Sequence, residues 1–307
     1  MKIIMYHYIR DFQKTNYPKI KGLDVKSFEN QIKYLTSKFN ILDPFEIRKA
    51  IEEEKSFSNK DCWLTFDDGY IDHYEYALPI LNKYNIKATF FPPIISTIHN
   101  DILDPSKIHF ILASIKDDVN IVNYIKDAYL KICKENDENS FQLIINSINT
   151  DDRFDDSNTI LIKSLLQKSL PRKDRNIIMN DLFKDYVTDD IITFSKKLYM
   201  NISHIKELHE NGHEIGLHGY NHNWLGTLSS SSQKDDIMGA LNFWKKNNII
   251  KDKFTMCYPY GDYNSDTLKI LSETDCVSAL TSALGPDPTI DYLAHELPRY
   301  DTNDFPK

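Results

Sequence analysis

The chain reads as an α/β protein: a parallel sheet closed into a TIM-like barrel, interrupted by a largely helical insertion. Three observations predict this. Short apolar, β-rich runs alternate with segments whose apolar residues recur at spacings of three and four, the pattern of repeated βα units. About seven or eight such strands are readable, which suits a closed barrel better than an open sheet. From about residue 100 to 200 the alternation stops, glycine is absent and helical spacing takes over. The barrel is therefore assigned to 1–98 and 200–307. The insertion, 99–199, is read as a lid or flank, with a separate small helical domain as the alternative.

The first strand is expected at 2–9, where the residues alternate and are β-rich. Phe28, Ile32, Leu35 and Phe39 mark one face of a helix. A short strand at 40–42, a charged helix over 44–54 and a buried strand at 62–66 follow. Ala77, Ile80, Leu81 and Tyr84 mark the next helix, and 88–91 the next strand. After the insertion, 203–210 is a helix closed by Gly212 in its left-handed position. A strand over 213–217 ends at His218. Ile237, Leu241 and Trp244 mark a helix, 254–258 a strand, 265–273 a helix and 277–280 a strand. Residues 297–300 are expected to close the sheet.

Composition narrows the function. The net charge of −8, with no basic stripe, argues against a nucleic-acid partner. The apolar fraction of 41%, with 18 Tyr and 16 Phe, supports a sizeable core. Cys62, Cys133, Cys257 and Cys276 form no CxxC pair and read as reduced, mostly buried thiols. The first residues do not resemble a signal peptide, and no segment approaches the ~20 apolar residues of a membrane span. The expected location is the cytoplasm.

Thr65-Phe66-Asp67-Asp68-Gly69-Tyr70 carries the most chemistry. Two adjacent carboxylates follow a buried strand, where mutual repulsion and burial both disfavour ionisation. A bound cation is the usual counter-charge. In a βα barrel the active site gathers at the carboxyl ends of the strands. His7, Asp67-Asp68, His218 through His222, and Tyr258-Pro259-Tyr260-Gly261 all fall there. Gly219 and Asn221 favour a turn that folds His218 and His222 onto one ion. Two histidines and a carboxylate make a facial metal site, so Asp68, His218 and His222 are the candidate ligands. Zinc is the first choice, and cobalt, nickel, manganese or iron also fit. Such an ion lowers the pKa of water and polarises a carbonyl.

Asp67 is then left as candidate general base. The plainer reading of the acid pair is a helix N-cap beside a solvated neighbour. His7 is the candidate acid for a leaving nitrogen, with His295 as competitor. Tyr258 and Tyr260 offer a sugar a flat face and a hydroxyl, unless the turn is simply packed. Arg299 can hold the Asp67 carboxylate or lie on the surface. His204, His209 and His213 read as structural or solvated, and His73, His99 and His109 lack a convergent partner.

Together these residues resemble the NodB-homology polysaccharide deacetylases, carbohydrate esterase family 4. Residues 65–69 match that family's first motif, and His218-Gly219-Tyr220-Asn221-His222 its His-Ser/Thr-x-x-His motif. Tyr258-Pro259-Tyr260-Gly261 looks like the third motif, and 205–218 like the approach to the second. The likeness covers about 1–95 and 200–300. It implies a distorted (β/α)7 barrel that hydrolyses N-acetyl groups on amino sugars. It also implies Asp67 as base, Asp68, His218 and His222 as metal ligands, and the Tyr260 N–H as an oxyanion donor. Tyr6-His7 and Leu297-Pro298-Arg299 resemble the exopolysaccharide-deacetylating branch, which implies His7 as the acid. Gly219, Cys257 and Tyr70 depart from the usual Ser or Thr, arginine and proline.

The reading is a metal-dependent N-deacetylase acting on an N-acetylated amino sugar. Nucleotide-linked, lipid-linked or small glycan precursors are favoured over an extracellular polysaccharide. The alternatives are a deacetylase or deformylase of a non-sugar amide, and a catalytically silent glycan-binding barrel.

Overall fold

The computed structural model describes residues 1–115, 120–132, 137–151, 153, 155–285 and 294–307. The strands are β1 (Lys2–Tyr6), β2 (Ile9–Arg10), β3 (Leu23–Asp24), β4 (Asn40–Ile41), β5 (Asp61–Asp67), β6 (Thr89–Phe91), β7 (Glu214–Ile215), β8 (Phe254–Cys257), β9 (Cys276–Leu280) and β10 (Tyr300–Asp301). The first helices are α1 (Val25–Lys38), α2 (Pro44–Glu52), α3 (Leu78–Lys83) and α4 (Ile94–His99). Those of the middle segment are α5 (Asp104–Ser114), α6 (Ile121–Ile132), α7 (Glu138–Asn146), α8 (Ser157–Ser164) and α9 (Arg172–Tyr186). Then follow α10 (Ile191–Leu198), α11 (Ile202–Glu210), α12 (Ser230–Lys246) and α13 (Ser265–Ser272).

The chain divides into two units. One holds Met1–Asp11, Gly22–Asp101 and Ile192–Lys307; the other holds Phe12–Lys21 and Ile102–Ile191. The second unit is helical. Its core joins Ile108, Phe110 and Ile111 of α5, Ile125 of α6 and Ile178, Leu182 and Phe183 of α9, all buried. Tyr17, from its N-terminal strip, packs edge-on against Phe110. Cys133 lies outside the described residues; Cys62, Cys257 and Cys276 are buried free thiols. Among the described residues no helix is long and apolar enough to cross a membrane.

Strand periodicity organises the first unit, because successive side chains point to opposite faces. Ile4, Tyr6, Cys62, Leu64, Phe66, Phe90, Ile215, Phe254 and Met256 share one core with Phe28, Leu81, Leu208, Leu241 and Leu271 of the helices. The alternate residues Ile3, Trp63, Phe91, Cys257 and Leu280 form a second core with Leu297. The helices start where their caps dictate. Asp24 accepts from the Lys26 N–H at α1, and Asn201 and Asn264 form capping boxes at α11 and α13.

All named strand pairs are parallel, in the order β10-β1-β5-β6-β7, with β4 also on β5 and with β8-β9 and β2-β3 as separate pairs. Among the described residues, the barrel closed by continuous ladders that the sequence predicts is not formed. Isolated bridges, Leu217–Met256 and Leu280–Leu297, stand between the six-stranded path and β8-β9. Two local features explain the interruptions. The strand expected at 297–300 contains Pro298, which has no N–H for a ladder, so only Tyr300–Asp301 pairs with β1. The strand expected at 213–217 shortens to β7, where Gly216 lies against the neighbouring elements.

An added Cβ at Gly216 would overlap the Phe91 ring and come within 2.7 Å of the Thr255 carbonyl oxygen. Gly216→Ala is expected to destabilise the protein by about 1–3 kcal/mol in urea denaturation. An unchanged midpoint would contradict this packing.

The inward polar residues at the amino ends of the strands satisfy one another. The Trp63 indole N–H donates to Thr89 Oγ1, and Thr89 and Thr255 hydroxyls donate to Glu214. Arg48 completes the buried Glu214 carboxylate at 2.9 Å. Burial pushes that carboxyl up, while Arg48 and the two threonines oppose the shift.

Candidate active site

Continuing β5 as a strand would send Asp67 and Asp68 to opposite faces. Asp68 instead takes φ +69°, a left-handed conformation that Asp tolerates. The alternation breaks there, and both carboxylates serve one buried site. Asp68 Oδ1 lies 3.3 Å from His218 Nε2 and 3.2 Å from His222 Nε2. Its Oδ2 accepts from the Tyr70 hydroxyl at 2.9 Å. Burial would push the Asp68 carboxyl up; hydrogen bonds from the two histidines outweigh it and hold it well below the usual range.

His218 continues from β7, and its Nδ1 lies 2.9 Å from the Cys257 carbonyl. A carbonyl only accepts, so Nδ1 carries a proton, and Nε2 is the ring nitrogen turned toward Asp68. The donor atoms of Asp68, His218 and His222 all lie within 4.8 Å of one another. Around a tetrahedral ion with bonds of ~2.0–2.1 Å, donor atoms stand about 3.3 Å apart. The observed oxygen–nitrogen separations fit that spacing, and one carboxylate with two imidazoles suits a borderline divalent ion.

Asp67 is engaged differently. Arg299 NH1 donates to its Oδ1 at 2.8 Å and NH2 to its Oδ2 at 2.6 Å, a bidentate pair. Arg299 also reaches Thr65 Oγ1 and the Thr281 carbonyl. Burial favours the neutral acid, but the Arg299 charge and hydrogen bonds outweigh it, bringing the Asp67 carboxyl down to about 2. Asp67, His218 and Cys257 form a second donor cluster, but the Arg299 guanidinium sits 2.9 Å from Cys257 Sγ and against Asp67. A cation would meet an existing positive charge there. Burial pushes the Cys257 thiol up, so it donates to Asp67 Oδ2 at 3.4 Å.

His7 Nε2 stands 3.9 Å from Asp67 Oδ2, with 39% of its side chain exposed. His73 donates to the His7 carbonyl at 2.7 Å, so a residue read from sequence as lacking a convergent partner fixes the candidate acid's backbone. His295 lies at the other end of a strand. Its Nε2 donates to the carbonyl of Cys276, the first residue of β9.

Tyr258 does not wall a pocket as the sequence suggested. It is 1% exposed, stacks on Tyr263 and donates its hydroxyl to the His295 carbonyl. Its position in the core strand's alternation explains the difference, since 258 follows Phe254 and Met256 on the helix-packed face. Tyr260 has φ +59° within the turn Pro259–Gly261. Its ring stacks on Trp224 at 4.1 Å and lies 4.8 Å from that of His222. Sequence reasoning missed Tyr70, Trp224 and Asp236 as site residues. None of the three carried a usable local signal; Asp236, for instance, ends the polar run 229–236.

The sequence profile described as polysaccharide deacetylase matches residues 54–99 and 191–279, which include Asp67, Asp68, His218 and His222. The chain is 38% identical over 92 residues to YxkH of Bacillus subtilis (strain 168), covering 30% of this chain and 31% of that protein. Over residues 54–99 and 191–279 the chain is thus similar to polysaccharide deacetylases. It is also 36% identical over 88 residues to the poly-beta-1,6-N-acetyl-D-glucosamine N-deacetylase of Staphylococcus aureus (strain N315), covering 28% of this chain and 29% of that one. Both alignments thus span under a third of the relatives' length. The fold extends further. The Streptococcus pyogenes deacetylase PplD aligns with TM-score 0.56 and 18% identity over 98% of this chain and 91% of its own. IcaB from Ammonifex degensii aligns with TM-score 0.57 and 16% identity over the same shares. At these identities the likeness establishes the α/β fold with its parallel sheet.

Proposed function

We propose that the protein is a metal-dependent N-deacetylase hydrolysing the acetamide of an N-acetylated amino sugar. The observation that carries this is the Asp68–His218–His222 donor cluster beside an independently ionised Asp67. The match to polysaccharide deacetylases and the N-deacetylase among the relatives support the substrate class. A distorted (β/α)7 barrel, interrupted at its single bridges, is the architecture that accompanies this reading.

Asp68, His218 and His222 would hold the ion. A divalent metal there, zinc first, supplies Lewis acidity that activates water and polarises the amide carbonyl. Asp67 takes the proton from the attacking water, because Arg299 keeps its carboxylate ionised and oriented. His7, exposed on the side facing solvent, gives a proton to the leaving amine. The backbone N–H of Tyr260 donates to the oxygen that gains charge. Nucleotide- and lipid-linked amino sugars of the cytoplasm are the proposed substrates.

Metal-stripped protein, resupplied with zinc, is to be assayed for acetate release from free, nucleotide-linked and polymeric N-acetyl amino sugars. Zinc-dependent release is expected, and chelation should abolish it. Zinc bound at Asp68, His218 and His222 with no acetate from any sugar would refute the reading, and release from matched non-sugar amides alone would redirect it.

A further inference from the structure

We infer that Asp236 is a positioning residue that shapes the histidine loop and so sets the affinity of the Asp68–His218–His222 site. The inference rests on the metal-site reading above and adds to it the device that holds the loop.

The stretch from His218 to His222 is short, and its backbone is unusual at both ends. Gly219 has φ +69° and His222 has φ +54°. The latter conformation is uncommon for a residue other than glycine. Glycine adopts such a conformation freely, but His222 does not, so contacts from outside the loop must favour it.

That partner reaches in from α12. Asp236 is only 4% exposed. Its Oδ2 accepts from the Tyr220 N–H at 2.8 Å, and its Oδ1 accepts at 3.1 Å from the Asn221 N–H, the Asn221 side-chain amide and the Asn223 side-chain amide. One carboxylate thus gathers backbone and side-chain donors from consecutive segments on both sides of His222. Charge-assisted bonds of this kind are stronger than neutral ones.

The same carboxylate explains Gly219, where the family motif carries Ser or Thr. A Cβ at 219 would lie 2.6 Å from Asp236 Oδ2. In this chain the space beside the loop is filled by the carboxylate, and any side chain at 219 is excluded by contact as well as by φ. Gly219 and Asp236 are two halves of one device: bracing from a neighbouring helix in place of a hydroxyl within the loop.

The test uses the full chain, zinc alone and no substrate, so it does not depend on whether the protein deacetylates sugars. Asp236→Asn keeps the shape but turns an amide toward the loop's donors; Asp236→Ala removes the brace. In metal-free protein, the Tyr220 and Asn221 amides are expected to be protected from hydrogen exchange, and each variant should lose that protection. Zinc affinity, measured against a competing chelator, should fall about 10–100-fold in both, the usual effect of removing a group that orients metal ligands. Gly219→Ala should weaken zinc binding in the native background and add less than its single effect to Asp236→Ala, because the pair shares one contact. Lowered thermal stability with unchanged zinc affinity would overturn the positioning role. Unprotected Tyr220 and Asn221 amides in the native protein would overturn the brace itself, even if no metal binds.

Discussion

Asp67→Asn is expected to lower kcat by about 10²–10⁴-fold, the usual contribution of general acid–base catalysis, while zinc affinity stays within a few-fold of the native value. The two effects separate because Asp67 does not belong to the Asp68–His218–His222 cluster; its oxygens are taken up by Arg299. Asparagine keeps the shape of the carboxylate but has no oxygen that accepts a proton from water at neutral pH. It also turns an amide N–H₂ toward the Arg299 guanidinium, so some stability is lost, and zinc affinity is therefore measured on the same folded sample. Asp68→Asn is the paired control. It weakens the donor set directly and should cost metal binding and turnover together. Parallel loss of zinc by both variants would show that Asp67 serves the ion rather than the water. The pH profile adds a separate check. With its carboxyl near 2, Asp67 is ionised throughout pH 4–8, so an acid limb of kcat/KM in that range must come from another group and should survive in any residual activity of Asp67→Asn.

Much of this site was legible because its residues sit where strand periodicity breaks. Acids after a buried run, histidines bracketing a glycine, and an aromatic turn are all visible without a structure. What supports them was not. Tyr70 looks like a substitution for a common proline, yet its hydroxyl holds Asp68 Oδ2. Asp236 looks like one more charge on a polar stretch, yet it is buried beneath the histidine loop. These are contacts between residues distant in sequence, and no local pattern encodes them. The barrel's closure was over-read for a related reason. Apolar runs announce strands, but whether a ladder continues depends on single residues such as Pro298 and Gly216. Tyr258 was assigned to the pocket because its turn lies at a strand end, although the period of two places it on the helix-packed face.

Replacing Arg299 tests how far one buried cation sustains the site. Arg299→Met removes the guanidinium and roughly preserves apolar volume, leaving the buried Asp67 carboxylate without its bidentate partner. Breaking a buried ion pair from one side typically costs about 3–5 kcal/mol, and that loss is expected in urea denaturation of the metal-free protein at pH 7.5. The sign of its pH dependence distinguishes a lost charge from lost packing. In the native protein the folded carboxyl is lowered to about 2 from an ordinary value near 3.8. Its stabilising contribution, about 2 kcal/mol, is therefore complete above the unfolded pKa and disappears as pH falls through the folded one. In the variant, burial acts without Arg299 to oppose it, and the folded pKa rises. Asp67 then destabilises the fold at neutral pH, and protonation relieves that penalty as pH falls through the raised value. The gap between native and Arg299→Met should accordingly narrow from pH 7.5 to pH 5. A gap that stays constant would assign the loss to packing around Thr65 and Thr281, the other Arg299 partners. Turnover should respond in the same variant. Arg299 lowers the basicity of Asp67 but keeps it ionised and aimed, so its removal is expected to reduce kcat and to move the acid limb upward, toward the raised Asp67 value.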